Sequence, residues 1–215
     1  MRIIDLTHTL NETAVSYPGT PPPVFEAVSA ISEEGFGETF IKIYSHTGTH
    51  VDAPAHMIPG GAFLDEMPVG SFCGSAYILD CSKVCGEIGV SILKGREEIL
   101  KSDFLILSTG WEKYWGSPEY FGNFPVLSAE AVDFLMSNGL KGIGMDTASI
   151  DRMDSDGFKN HFKVLGAGGV IVENLCNLSA LRGRTVYVSM LPLKFLNSDG
   201  APVRAVAFEG ELSFR

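Results

Sequence analysis

The stretch Ser45–Gly61 has the sequence S-H-T-G-T-H-V-D-A-P-A-H-M-I-P-G-G, and the rest of the fold has to be built around it. Within eleven residues it places four side chains of metal-ligand type, which are His46, His50, Asp52 and His56. Histidine and aspartate are the usual protein ligands of zinc and of harder divalent ions. We therefore expect the remaining elements to bring further polar groups to this stretch.

The spacing of these side chains restricts the backbone conformation. His50 and Asp52 are two residues apart, so a strand would place both on the same face. His46 is four residues from His50, and extended chain would separate the two by roughly 13 Å at about 3.3 Å per residue. Glycine permits the bend that is needed, and Gly48 lies midway. We predict a strand end that curls at Gly48 rather than a helical metal site, with Pro54 ending the strand pairing.

Composition limits the class of protein. The chain has 215 residues, 45% of them hydrophobic, which suits one domain spanning 1–215 with a core that needs no disulfides. Its net charge is −10 and no basic patch is visible, so we expect no nucleic-acid partner. No apolar run approaches the length of a membrane span. The four cysteines form no C-x-x-C pair, and with no signal peptide at the N-terminus they favour a cytoplasmic protein.

Short apolar runs outnumber helical patterns along the chain. Helices are predicted at Val90–Lys101 and from an N-cap at Ser128 to near Gly139. The pattern indicates an α/β fold with more strand than helix. The predicted strands begin near Ile3, Val24, Phe40, Ala76, Phe104, Ile143, Val170, Val186 and Val203.

The central stretch resembles a known family signature. H-T-G-T-H-V-D-A-P-A-H resembles the H-x-G-T-H-x-D-x-P-x-H motif of the cyclase-like metal-dependent hydrolases, which include bacterial kynurenine formamidase (arylformamidase) and isatin hydrolase. Downstream, Gly144–Asp151 resembles the family's G-x-D-x-x-S-x-D segment, and Thr109–Trp111 resembles its segment after a core strand. His161, twelve residues before Glu173–Leu175, resembles its histidine and E-N-L pair. The resemblance thus extends over most of the chain.

The resemblance implies a fold and a set of metal ligands. The implied fold is a swivelling β/α/β-type single domain with a mixed, partly barrel-like central sheet flanked by helices, commonly in a homodimer. One or two divalent ions are implied, with Zn²⁺ expected and Mn²⁺ as the alternative. The first ion would be held by His46, His50 and Asp52. The second would be held by His161, and the carboxylates of Asp52 and Glu173 could bridge both ions.

The resemblance also implies how the site acts on a substrate. It makes His56 the proton donor and acceptor. The family's kynurenine formamidases carry a tryptophan before Pro-Gly where this chain has Tyr17, an aromatic side chain with a polar tip. We take Tyr17, Trp111 and Asp146 as candidate substrate contacts. The expected reaction is hydrolysis of a small aryl formamide, N-formylkynurenine to kynurenine and formate in tryptophan catabolism.

Three alternatives remain open. An isatin hydrolase-like enzyme would open a cyclic amide with the same groups. A cupin-like metal enzyme or dioxygenase would also use histidines and a carboxylate, although the two predicted helices argue against its all-β fold. A metal-binding protein without turnover would have no need for His56 as a base.

Overall fold

The computed structural model describes residues 1–12, 14 and 16–210. In this part of the chain thirteen strands are present: β1 (Arg2–Asp5), β2 (Val24–Ser29), β3 (Glu38–Lys42), β4 (His50–Asp52), β5 (Cys73–Asp80), β6 (Glu87–Ile88), β7 (Phe104–Ser108), β8 (Val126–Leu127), β9 (Gly142–Met145), β10 (Val170–Glu173), β11 (Thr185–Ser189), β12 (Gly200–Pro202) and β13 (Val206–Glu209). The α-helices of the same residues are α1 (Ile31–Glu34), α2 (Val90–Leu93), α3 (Glu97–Leu100), α4 (Ala129–Ser137) and α5 (Lys159–Gly166). Among the described residues, no helix has the length and apolar character to cross a membrane.

Nine strands form one curled sheet, in the order β1-β13-β11-β5-β7-β9-β10-β4-β12. The four central strands β5, β7, β9 and β10 are parallel, and every other pairing in the sheet is antiparallel. The predicted α/β fold with a mixed, partly barrel-like sheet is therefore confirmed. Parallel strands next to helices also exclude the all-β alternative.

The central strands are buried on both faces, because each face carries its own apolar layer. Along β7, Phe104 and Ile106 point into the layer on one side of the sheet, whereas Leu105 and Leu107 join the layer under the helices. This alternation is what the pleat of a strand requires. The continuous apolar run that predicted a buried strand is thus explained by two covered faces.

The two predicted helices differ in outcome. Ser128 caps α4 as predicted, since its side chain accepts a hydrogen bond from the Ala131 amide. The continuous helix predicted over Val90–Lys101 is wrong, because the segment forms the two short helices α2 and α3. Between them Lys94 is extended and Gly95 has a φ of +81°, a conformation that breaks the helical path.

The strand predicted from Phe40 is displaced in both sequence and space. It ends at Lys42 as β3, and it pairs with β2 in a separate two-stranded hairpin instead of leading into the central sheet. The last predicted strand, from Val203, is likewise shortened to β13. A further strand, β12, precedes it and lies at the sheet edge beside β4.

The central stretch bends where the sequence predicts. Gly48 has a φ of +67°, and a Cβ at this position would lie 2.3 Å from the side chain of Leu10. No helix forms between His46 and His50, and β4 begins at His50. After β4, Pro54–His56 form a single 3₁₀ turn. Both the curl at Gly48 and the turn that redirects His56 are therefore confirmed.

Candidate metal centre

Strand pairing brings the two halves of the site together. β4 lies between β10 and β12, and its His50 is directly opposite Glu173 of β10. The His50 Nε2 and Glu173 Oε2 atoms are 3.6 Å apart. The antiparallel register of these strands thus joins residues that are more than a hundred positions apart in the sequence.

The first candidate ligand group consists of His46, His50 and Asp52. Asp52 Oδ1 lies 2.7 Å from His46 Nδ1 and 3.2 Å from His50 Nε2. One ligand atom from each residue lies within 4.8 Å of the other two. The curl at Gly48 makes this possible, because it returns His46 to the face of the strand on which His50 and Asp52 lie.

The second candidate ligand group shares Asp52 with the first. Asp52 Oδ2 is 3.9 Å from His161 Nε2, and Glu173 Oε1 is 3.4 Å from the same nitrogen. These three residues also satisfy the 4.8 Å criterion and all are buried. Since Asp52 presents one oxygen to each group, it can bridge two ions, and Glu173 lies between His50 and His161 in a similar way.

In His50 and His161, the ring nitrogen that faces away from the ligand groups is held by a fixed acceptor. His50 Nδ1 lies 2.8 Å from the Gly48 carbonyl, which also accepts a hydrogen bond from the Asn174 amide group at 2.8 Å. His161 Nδ1 is 2.7 Å from Asp151 Oδ2. Such acceptors fix the tautomer and leave Nε2 free for a metal. The donor set therefore fits one or two divalent ions.

The electrostatic field of the site favours added positive charge. Burial opposes the charged form of His46, but hydrogen bonds with Asp199 and Asp52 outweigh it and raise the pKa of His46 to about 10. Burial likewise opposes protonation of His161, yet hydrogen bonds with Asp151 and Glu173 raise its pKa to about 10. A cluster of carboxylates that stabilises a proton so strongly also stabilises a metal cation.

His56 belongs to neither of these two ligand groups, but with His46 and Asp199 it forms a third group that meets the same 4.8 Å criterion. Its ring centroid is 4.0 Å from that of His46 and 6.2 Å from that of His161. Burial lowers the pKa of His56, and the positive charges of His46 and His161 add to this effect while Asp52 opposes it. His56 is thus held neutral near neutral pH, which is the state that a general base requires.

The two ligand groups open into a pocket of about 310 Å³. Three aromatic side chains contribute to its wall, namely Tyr17, Phe121 and Phe158, and Tyr17 meets Phe121 edge to face at 6.3 Å. A concave site with aromatic walls and a few convergent polar groups suits a small aromatic ligand. Tyr17, which the sequence offers as a candidate substrate contact, therefore lies in the wall of this pocket.

Trp111 and Asp146, the other two candidate substrate contacts, are not among the residues that line the pocket. Trp111 packs on Phe124 and donates its indole N–H to the Tyr120 carbonyl. The buried Asp146 carboxylate accepts hydrogen bonds from the Thr109 amide and hydroxyl and from the Gly110 amide. The polar groups of both residues are thus paired inside the fold, and their role as substrate contacts stays a prediction.

Two carboxylates at the site were not among the predicted site residues, although Asp151 is the last position of the segment that resembles the family's G-x-D-x-x-S-x-D. Asp199 Oδ2 is 3.1 Å from His46 Nε2, and Asp151 contacts His161 as described above. Asp199 stands in the turn-like sequence Asn197–Gly200, and Asp151 also follows a strand, where aspartate is common in turns. The family-like segment was the only sequence signal for Asp151, and residue type and spacing gave none for Asp199.

The fold and the site define a mixed α/β protein with three adjoining metal-ligand groups among the described residues, and comparison with known proteins places it in a family. The Cyclase family model matches residues 4–152, and the kynurenine formamidase of Bacillus cytotoxicus is 30% identical over 206 residues, covering 94% of this chain and 95% of that protein. The chain belongs to the Cyclase family, which confirms the resemblance seen in its sequence.

Two solved structures share the whole fold. An isatin hydrolase bound to the product analogue thioisatinate has a TM-score of 0.86 at 23% identity, over 95% of this chain and 91% of the other. Isatin hydrolase A from Labrenzia aggregata, bound to benzyl benzoate, has a TM-score of 0.83 at 28% identity, over 96% and 93% of the two chains. These similarities cover nearly the full length of both proteins, so the fold is common to them.

Proposed function

We propose that this protein is a metal-dependent hydrolase that cleaves the C–N bond of a small aryl formamide, with N-formylkynurenine as its substrate. The observation that carries the proposal is the pair of ligand groups sharing Asp52 at the base of an aromatic pocket. The similarity to kynurenine formamidase over 94% of the chain supports the reaction class. The reaction would yield kynurenine and formate, a step of tryptophan catabolism.

The metal ligands in this proposal are His46, His50 and Asp52 for the first ion, and Asp52, His161 and Glu173 for the second. A divalent ion bound by such ligands polarises a carbonyl and lowers the pKa of water to roughly 7. We propose Zn²⁺, because imidazole and carboxylate ligands suit it, with Mn²⁺ as the alternative.

His56 is the acid–base group of the proposal. Its side chain lines the same pocket as the ligand groups, and its depressed pKa keeps it ready to accept a proton. It would take a proton from the attacking water and return it to the leaving amine, assistance that is typically worth about 10²–10⁴-fold in rate. His56→Ala should lower kcat by about that factor and leave the metal content unchanged.

His8 provides a matched control for His56. It is the one histidine outside the pocket lining, and it stacks on Trp115 at a centroid distance of 4.0 Å. His8→Phe keeps this stack and should retain kcat within about twofold. Loss of a metal equivalent in His56→Ala would show that His56 is a ligand, and an unchanged kcat would contradict its catalytic role.

The substrate is tested by assaying one metal-replete sample with N-formylkynurenine and isatin, after elemental analysis. Faster hydrolysis of N-formylkynurenine is expected. Preference for isatin would favour the second candidate, a cyclic amide hydrolase, which the two isatin hydrolase folds and Tyr17 in place of tryptophan support. No turnover across an aryl-amide panel would instead indicate a metal-binding protein without catalysis.

We also propose that the chain forms a homodimer through the β2–β3 hairpin. Its apolar side chains are unusually exposed, with Val28 at 51%, Phe40 at 51% and Ile41 at 54%. Exposed apolar patches mark interaction sites in soluble proteins. Phe40→Glu should convert a dimer into a monomer in light scattering, whereas Leu100→Glu on α3, a leucine that is 44% exposed and lies outside the hairpin, should not. A monomeric parent protein would refute the proposal.

The cytoplasm is the proposed location. All four cysteines are unpaired in the structure, which suits a reducing compartment. Fractionation of the native host should recover the protein with cytoplasmic markers, and recovery with secreted proteins would contradict the assignment.

A further inference from the structure

The segment that carries Asp199 is fixed beside β4 by its backbone. The Asp199 carbonyl accepts a hydrogen bond from the Ala53 amide at 2.9 Å, and Gly200 pairs with Asp52 across the two strands. On the other side, the Ser198 carbonyl accepts from the Leu64 amide at 2.9 Å. Asp199 thus enters the site from a held strand end and not from a free loop.

His46 packs directly against this strand end. A Cβ on Gly200 would lie 2.4 Å from Cε1 of the His46 ring and less than 3 Å from both of its nitrogens. The ring therefore lies flat against the backbone at Gly200, a close approach that only glycine allows. This packing restricts the orientation of the His46 ring.

The two nitrogens of His46 face two different carboxylates. Nε2 lies 3.1 Å from Asp199 Oδ2, and Nδ1 lies 2.7 Å from Asp52 Oδ1 within the ligand group. If Nε2 donates its proton to Asp199, Nδ1 is left unprotonated on the side of the ligands. His46 would then bind through Nδ1, unlike His50 and His161, which offer Nε2.

The same oxygen of Asp199 also faces the proposed acid–base group. His56 Nδ1 is 3.6 Å from Asp199 Oδ2, and the His46 and His56 rings are in contact at a centroid distance of 4.0 Å. The Asp199 side chain is 41% exposed, so it keeps its charge without a large desolvation penalty. One carboxylate can therefore hold a metal ligand and the proton carrier in a fixed mutual arrangement.

We infer that Asp199 is a positioning residue that acts on both His46 and His56. It holds the Nδ1 of His46 toward the first ion in the way that Gly48 holds His50 and Asp151 holds His161. It also orients His56 over the same centre, which couples ion binding to the proton-transfer step. The inference about His56 rests on the proposed hydrolase function, whereas the inference about His46 does not.

The test compares Asp199→Ala and Asp199→Asn with Asp65→Asn. Asp65 is the matched control, because its carboxylate accepts hydrogen bonds from Ser198, the residue next to Asp199, and contacts neither histidine. Zn²⁺ and Mn²⁺ are titrated in competition with a chelator of known affinity, and the bound equivalents at saturation are counted. N-formylkynurenine and isatin are then assayed at saturating metal.

Asp199→Ala should weaken the affinity for the first ion about 10–100-fold, the usual effect of removing such a partner, without changing the number of ions at saturation. At saturating metal its kcat should fall about 10-fold or more while KM stays within about threefold. Asp199→Asn keeps a hydrogen-bond acceptor, so its metal affinity and its kcat should lie between those of Asp199→Ala and those of the parent protein. Asp65→Asn should match the parent within about twofold in every measurement.

Three outcomes would overturn the inference. Unchanged metal affinity in Asp199→Ala would remove the role toward His46. Loss of a whole metal equivalent from Asp199→Ala at saturation would show that Asp199 is a metal ligand. Equal defects in Asp65→Asn would show that Asp199 only stabilises its own segment. If no variant and no parent protein hydrolyses either substrate, the hydrolase proposal fails, while the metal titration still decides the role toward His46.

Discussion

Two buried aspartates, Asp52 and Asp146, occupy opposite kinds of environment in this fold. Both are almost completely buried, at 1% and 0% exposure. Asp146 faces backbone amides and a hydroxyl, whereas Asp52 faces the nitrogens of three histidines. Burial raises the pKa of Asp146, its hydrogen bonds opposing this only in part. At Asp52 the same penalty is outweighed by histidine, and the pKa lies well below its usual value.

The comparison shows that the identity of the partners, and not burial itself, separates a site carboxylate from a structural one. Two backbone amides and one hydroxyl after β7 donate to Asp146, so it holds the ends of β7 and β9 together. Imidazole nitrogens can exchange a proton for a metal ion, so Asp52 retains a chemical function. Substitutions at the two kinds of carboxylate should therefore have different effects on metal content and on stability.

Asp52→Asn should remove metal binding and hydrolysis together. The substitution neutralises the carboxylate common to both ligand groups, so neither group keeps its full set of ligands. We expect kcat/KM to fall at least about 10³-fold, on the scale of effects attributed to single strong electrostatic groups. Elemental analysis and the hydrolysis assay check this. A variant that retains both its metal and its activity would show that Asp52 does not bridge the site.

Glu173→Gln should affect only the second ion. Glu173 contacts His161 and His50, but the first ligand group is complete without it. The affinity of the second ion should fall by about 10–100-fold or more, while the first ion stays bound. Stepwise metal titration monitored by calorimetry measures both. Equal weakening of the two ions would contradict the division into two groups.

Asp146→Asn should affect stability and leave the metal in place. An asparagine amide group would face the Gly110 amide, so one hydrogen bond to a charged acceptor is replaced by two opposed donors. We expect the free energy of unfolding to fall by about 2–3 kcal/mol. Urea denaturation and elemental analysis provide the two readouts. Normal stability together with reduced metal content would show that Asp146 contributes to the metal centre.

His8→Phe should give the smallest effect, and only in acid. Burial lowers the pKa of His8 to about 4, and its Nε2 has no hydrogen-bond partner among the described residues. Below pH 6.5, His8 is protonated in the unfolded chain but stays neutral in the folded protein. Wild-type stability therefore falls as the pH falls toward 4. Near pH 5 the variant should be more stable than wild type by about 1–2 kcal/mol, with the gap absent at pH 7.5.

The expected pH dependence of the stability difference would be contradicted by one result. Parallel unfolding curves of His8→Phe and wild type from pH 7.5 to 5 would mean that His8 is protonated in the folded protein. Thermal melts at matched ionic strength are sufficient for the comparison.

The sequence predicts the part of the site that lies on one short segment. His46, His50 and Asp52 are close in the chain, and the distance between the two histidines already required a bend at Gly48. His161 and Glu173 came only from the family resemblance, because their approach depends on the register between β4 and β10. Strand register between distant segments is not visible in local spacing.

Residue type alone does not reveal which partner a side chain meets in the folded protein. Trp111 is aromatic and follows a core strand, but its indole N–H is already paired inside the fold. Asp199 was overlooked for the opposite reason, since a turn-type sequence conceals a carboxylate that tertiary packing places on two histidines. The helix over Val90–Lys101 failed because Gly95 adopts a positive φ that the apolar spacing does not reveal.

The central claim is that Asp52 joins two metal-ligand groups at the base of one pocket. Anomalous diffraction from crystals equilibrated with Zn²⁺ or Mn²⁺ tests it most directly. We expect anomalous density at bonding distance from Asp52, with His46 and His50 on one side and His161 and Glu173 on the other. Density bound elsewhere, with Asp52 making no contact to an ion, would contradict it.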